Sequence, residues 1–345
     1  MFNAPRALAR HRTPQPFMPG QDPSVAWRGG YFYLVQSENG ERGITGIFIY
    51  KSATLQGLGS GERSCVWRAP RTGPCSKNVW APELAWVEGF GPDGKGRWYI
   101  HFAADDGRNE RHRMYALESA TEDPAGDYVM KGKVASADDH WAIDGVVVDV
   151  ELPLGGGRKL YFVWSGWAGP RNEVQRLYIA PMANPWTISG PRVEISRPSA
   201  LWERRSGPAP CYVNEGPAVA VYQGRVVISF SANGFWSDHY CLGLLSCDLE
   251  RLLEPAAWSK SNRPAFAPTD ELFGTGHNCL LQVPHGPDAG WWNLYHASRH
   301  PGRQGKTREL FAQPFTWHNG LPSLGRPGAQ QDEPLPMERL ASPVH

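Results

Sequence analysis

Cys211-Tyr-Val-Asn-Glu-Gly-Pro-Ala-Val219 places a carboxylate, Glu215, immediately before a Gly-Pro pair and an apolar run. The pair bends the chain and the run reads as a buried strand, so the acid stands at the mouth of that strand. Desolvation there raises a carboxyl pKa and suits the group to donating a proton. The same local pattern, a polar residue leading a short apolar run, recurs along the chain. It is found in Asp22-Pro-Ser-Val, Glu83-Leu-Ala-Trp-Val, Asp144-Gly-Val-Val-Val, Glu215-Gly-Pro-Ala-Val and His277-Asn-Cys-Leu-Leu. After each comes a turn and then an aromatic, alternating segment: Gly30 to Gln36, Arg97 to Phe102, Lys159 to Trp164, Arg225 to Phe230 and Trp291 to His296. Third segments such as Gly46 to Tyr50, Met114 to Leu117, Leu177 to Ala180 and Leu242 to Leu245 follow. Period-2 alternation bounded by Gly or Asp turns is a strand signature. Five copies of a three- or four-stranded unit predict an all-β chain folded as a five-bladed β-propeller.

The blades begin near residues 22, 83, 144, 215 and 277 within one domain spanning 1–345. Residues 1–20 are expected to form a strap or closing strand, and residues 325–345 a Pro-rich tail. Helical periodicity is confined to a short stretch near Leu249 to Leu253. Gly155-Gly-Gly-Arg-Lys159 lies between two strands and reads as a hairpin turn rather than a phosphate loop. Asp105 to Glu110 lacks the ligand spacing of an EF-hand and reads as a polar loop at the channel mouth.

Composition narrows the partners. Lys and Arg number 35 against 34 Asp and Glu, a formal charge of +1, which argues against nucleic acid as the main partner. The 38 Gly and 31 Pro supply turns between short strands, while the 15 Trp suit flat apolar sugar faces as well as cores. No run is long and apolar enough for a membrane span or a signal peptide, so the expected compartment is the cytoplasm, or outside the cell if a leader is missing. The six cysteines contain no Cys-x-x-Cys pair and read as buried thiols, with a Cys65–Cys75 bridge open to a secreted chain. A monomer is the default.

In a propeller the first strand of each blade lines the central channel. Asp22, Glu83, Asp144, Glu215 and His277 are therefore expected at one axial mouth. Two opposed carboxylates are what hydrolysis of a glycosidic bond requires, and a third acid tunes and orients the proton donor.

Gln21-Asp-Pro-Ser24, Trp80-Ala-Pro-Glu-Leu84, Ala142-Ile-Asp-Gly145, Asn214-Glu-Gly-Pro217 and Gly274-Thr-Gly-His-Asn278, together with Tyr295-His-Ala and Phe311 to Trp317, resemble the family 43 glycoside hydrolases. Within that family they look most like the exo-acting α-L-arabinofuranosidases. The resemblance implies an inverting hydrolase acting on arabinan, arabino-oligosaccharides or arabinoxylan. Asp22 would be the general base, Glu215 the general acid and Asp144 the residue that tunes the acid. It further implies that Trp80 walls the sugar pocket and that Arg308 reaches substrate hydroxyls or the catalytic carboxylates. His277 would face a calcium ion, a sodium ion or water in the channel, although no cofactor is required. Trp164 is one of several tryptophans near the mouth, with Trp141, Trp167 and Trp236, expected to contact sugar. A β-xylosidase or an endo-arabinanase on the same fold stays open here. So does a non-catalytic sugar-binding propeller, which would need a broken set of carboxylates.

Overall fold

Strands such as Arg225–Ala232 carry apolar side chains on both faces, which a pleat can accommodate only if each face is covered by another layer. The computed structural model, which describes residues 15–40, 43–91, 94–206 and 212–328, satisfies that demand by arranging five antiparallel sheets as the blades of a propeller. Blade 1 pairs Ser24–Arg28, Tyr31–Asn39, Thr45–Ser52 and Glu62–Arg68 in chain order; blade 2 pairs Lys77–Val87, Arg97–Asp105, Arg113–Ser119 and Tyr128–Val134. Blades 3 and 4 begin with Ala142–Leu152 and Asn214–Tyr222. In blade 5, Phe273–Val283, Gly290–Ser298 and Glu309–His318 are joined by Met18–Pro19 from the other end of the chain, with Met18 opposite Leu310 and Pro19 opposite Glu309. The rest of the expected strap and tail, residues 1–14 and 329–345, lies outside the described residues.

Burial follows the alternation. In Arg225–Ala232 the side chains of Val226, Ile228, Phe230 and Ala232 join Val148, Val150 and Val163 of blade 3 in one buried cluster. In Gly157–Gly166, Leu160, Phe162 and Trp164 turn the other way, into the cluster shared with blade 2. Further clusters join blades 1 and 2, blades 1 and 5, and blades 4 and 5. Each fully buried aliphatic or aromatic side chain contributes about 1.5–3 kcal/mol, so these interfaces are what hold the ring closed. Gly155 and Gly156 turn the hairpin between the first two strands of blade 3, where Leu152 faces Gly157. The stretch from Leu249 shortens to a single 3₁₀ turn, Leu249–Arg251. The described cysteines, Cys65, Cys75, Cys241, Cys247 and Cys279, are free thiols; Cys211 lies outside the described residues.

Candidate active site

The innermost strands share a break in pairing. The register shifts between Trp80 and Glu83, Ile143 and Val146, Glu215 and Ala218, and Gly276 and Cys279. The first residue inside each break has a left-handed backbone: Ala81 at φ 39°, Asp144 at 55°, Gly216 at 54° and His277 at 42°, with Asp22 at 49° just ahead of Ser24–Arg28. Such conformations cost about 1–3 kcal/mol away from glycine and gather where strain serves a site. A bulge re-aims the side chains beside it. Here it turns both the left-handed residue and its predecessor towards the axis. The structurally equivalent positions are therefore Asp22, Ala81, Asp144, Gly216 and His277, preceded by Gln21, Trp80, Ile143, Glu215 and Gly276. This corrects the expected alignment: Glu215 stands one residue before the equivalent position and Glu83 two residues after it. All ten residues except Gly216 and Gly276 line a cleft of about 360 Å³. Gly216 has a local reason to lack a side chain, because a Cβ there would lie 3.0 Å from His277 Cγ in a left-handed backbone.

Asp22 is surrounded by nitrogen. Its Oδ1 lies 3.1 Å from His296 Nδ1, 3.3 Å from His277 Nδ1 and 3.6 Å from Arg308 Nη1. The Asp22 N–H donates to His296 Nδ1 at 3.2 Å, and Arg308 Nη2 donates to Gln21 Oε1. Burial by itself would raise the carboxyl, but His277, His296 and Arg308 together outweigh it and hold Asp22 well below the usual carboxylate range. Burial lowers both imidazoles, His296 to about 4, leaving Arg308 as the permanent charge beside an ionised Asp22 at neutral pH.

Across the cleft the balance reverses. Glu215 Oε1 accepts from the Tyr240 hydroxyl at 2.9 Å and Oε2 accepts from Gln175 Nε2 at 3.0 Å, while Asp144 Oδ2 accepts from the Gly216 N–H at 3.0 Å. Both carboxyls are buried. Desolvation raises Glu215 to about 7 against the pull of Tyr240 and Gln175. Desolvation and the neighbouring Glu215 raise Asp144 well above its ordinary value. Two buried acids in mutual repulsion titrate as a pair and retain a proton at neutral pH. The cleft thus sets an ionised carboxylate opposite a carboxyl pair that holds a proton.

Glu83 does not line the cleft. Its Oε1 lies 3.9 Å from His277 Nε2, and burial raises its carboxyl to about 8, with Ser24 opposing and Asp22 adding to the shift. His277 Nε2 is buried without a hydrogen-bond partner. Calcium takes six to eight oxygen ligands. One imidazole and one carboxyl do not supply them, and among the described residues no group of three or more His, Cys, Asp or Glu side chains converges to hold a metal. These residues do not fit a protein-built cation site.

Trp80 lines the cleft and stacks on His112 with 3.9 Å between ring centroids and 23° between planes. His112 is itself fixed by Asp105 Oδ2, 3.0 Å from Nδ1, and by the Asn78 carbonyl, 3.0 Å from Nε2. Trp141 and Trp167 form a parallel pair 4.7 Å apart along the same wall. Trp164 does not reach the cleft. It is 3% exposed and packs between Phe162 and Tyr178, because its place in the strand's alternation points it into the interface with blade 2. Arg308 and Trp236 do line the cleft, and Asn109 brings the loop after Asp105 to it. Gln175, Tyr240 and His296 carry much of the site's electrostatics without having been singled out. Only His296 left a trace, in Tyr295-His-Ala; Gln175 and Tyr240 come from loops with no distinguishing pattern.

Comparison with known proteins agrees with this architecture. The Glycosyl hydrolases family 43 model matches residues 13–322. The "Extracellular exo-alpha-(1->5)-L-arabinofuranosidase" of Streptomyces chartreusis is 31% identical over 80% of this chain and 82% of its own length. "Alpha-L-arabinofuranosidase 43" of Humicola insolens is 35% identical over 72% of this chain, which spans about half of that relative (48%). Among solved structures, the alpha-L-arabinofuranosidase from Lactobacillus brevis superposes with a TM-score of 0.77 at 30% identity, covering 93% of this chain and 98% of its own. With the family model matching nearly the whole propeller, bulged inner strands included, the chain belongs to glycosyl hydrolase family 43.

Proposed function

We propose that the protein is an inverting α-L-arabinofuranosidase that releases terminal L-arabinofuranose from arabinan, arabino-oligosaccharides or arabinoxylan. The observation that carries the reading is the electrostatic division of the cleft, with ionised Asp22 facing the proton-holding Asp144–Glu215 pair. In a single displacement, Asp22 takes a proton from water as the water oxygen bonds to the anomeric carbon. Glu215 gives its proton to the glycosidic oxygen as the bond from that carbon breaks. Asp144 keeps the proton on the pair and orients the acid. Arg308 holds Asp22 ionised and Trp80 walls the sugar. Every step is assigned to side chains of one chain.

The relatives' printed names support the sugar. A cleft of about 360 Å³ lies near the lower end of ligand-pocket sizes and suits a terminal sugar rather than a long run of polymer. Among the described residues no helix is long and apolar enough to cross a membrane. The word "extracellular" in the name of the Streptomyces relative favours secretion over the cytoplasmic expectation. Products from linear arabinan, arabinoxylan and xylo-oligosaccharides, with the first anomer followed by NMR, test the reading. Arabinose appearing first as the inverted anomer is expected; xylose alone, or retention of configuration, would overturn it.

The alkaline limb of kcat/KM is expected near pH 7, where the Asp144–Glu215 pair loses its catalytic proton. Tyr240→Phe removes a donor that favours the ionised form of Glu215, so that limb should move to higher pH. A limb that stays put or moves down in the variant would disconnect Tyr240 from the acid.

A further inference from the structure

We propose that Trp236 is the platform for the leaving-group sugar, a role that rests on the arabinofuranosidase reading and adds a second sugar position to it. The inference begins with direction. The proton from Glu215 goes to the glycosidic oxygen, so the sugar that departs lies on the Glu215 side of the cleft. Tyr240, the donor to Glu215 Oε1, ends a short segment that starts at Asn233, and Trp236 stands in its middle. Trp236 lines the cleft, yet it is 47% exposed, whereas Trp141 and Trp167, which line the same cleft, are buried.

The indole is held in place as a platform requires. A Cβ at Gly234 would overlap its ring, so the chain at that glycine packs close against the indole. Phe235 meets it edge-on at 5.2 Å and 81°, and Phe235 is in turn covered by the Arg308 guanidinium at 4.7 Å. The segment is pinned at both ends. Asn233 Nδ2 donates to the Trp202 and His239 carbonyls at 2.9 and 3.0 Å, Ser237 N donates to the Gly234 carbonyl at 2.9 Å, and Tyr240 N donates to the Ser237 carbonyl at 3.2 Å. A rigid aromatic face left open beside the proton donor matches the apolar face of a furanose, and stacking of this kind costs little conformational entropy because little remains to be ordered.

Two substrates separate this role from the chemistry. A linear arabino-oligosaccharide departs with a sugar, whereas α-L-arabinofuranosyl fluoride departs with fluoride alone. Trp236→Ala should lower the ratio of kcat/KM for the oligosaccharide over that for the fluoride by about tenfold. Gly234→Ala, which displaces the ring without removing it, should lower the ratio in the same direction, and Trp236→Phe should restore most of it. A ratio that stays within about twofold of the wild type in Trp236→Ala would overturn the platform. If the wild-type protein hydrolyses neither substrate, the reading of the reaction falls and the platform with it. Hydrolysis of both with an unmoved ratio removes only the platform.

Discussion

Glu215→Gln is expected to lower kcat/KM on arabinan by about 10²–10⁴-fold, the range for losing a general acid. It should leave substrates with very good leaving groups within about tenfold of the wild type, because such groups depart without a proton. Equal losses on both substrate types would mean that Glu215 is not the acid. The same change should stabilise the protein, and the sign follows from the shift. The folded Glu215 carboxyl titrates at about 7, above the 4.5 of an unperturbed glutamate, so the fold prefers its neutral form. Below the unfolded value that preference costs nothing; between there and about 7 the unfolded chain ionises while the folded carboxyl stays neutral, so stability falls across that window and stays lowered above it. Glutamine is neutral throughout. Its Tm advantage over the wild type should therefore be larger at pH 8 than at pH 5, so the loss of activity cannot be ascribed to unfolding.

Asp22→Asn is expected to cost about 10⁴-fold on both kinds of substrate, at the upper end of general-base effects, because water must be activated whatever the leaving group. Survival of the good-leaving-group substrate in this variant would remove Asp22 as the base. The stability effect has the opposite sign. The folded Asp22 carboxyl lies well below its ordinary value, so its carboxylate stabilises the fold above the unfolded pKa, and that contribution is lost as pH falls through the folded one. Asp22→Asn should lower Tm at neutral pH, with the difference shrinking in strong acid. Opposite thermal shifts in two inactive variants would tie the functional division of the cleft to its electrostatics.

The propeller was legible because its strands bury both faces. Aromatic and β-branched alternation such as Arg225 to Phe230 appears five times, and every copy must find a neighbouring sheet on each side. Asp22, Asp144 and Glu215 were legible for a related reason: polar residues leading apolar strands have no use in a core. Their relative placement was not legible. Counting from the leading residue aligned Glu215 and Glu83 with Asp22, Asp144 and His277, but an inner-strand bulge inserts residues that hydrophobic patterning does not register. Trp164 was misplaced in the opposite way. Nearness to the mouth in sequence suggested sugar contact, while the side-chain alternation of Gly157–Gly166 sends it into the core.

By itself the sequence determined the all-β architecture, the number of blades and the gathering of Asp22, Asp144 and Glu215 at one cleft, since all depend on local patterning repeated along one chain. Only the tertiary structure decided which carboxyl stays ionised and which keeps a proton. Those states arise from groups distant in sequence, with His277, His296 and Arg308 around Asp22 and with Tyr240 and Gln175 on Glu215, brought together where the ring of blades closes. Charge interactions and desolvation act through space and fall off over a few ångströms, and one strand's alternation does not encode which blade will face it.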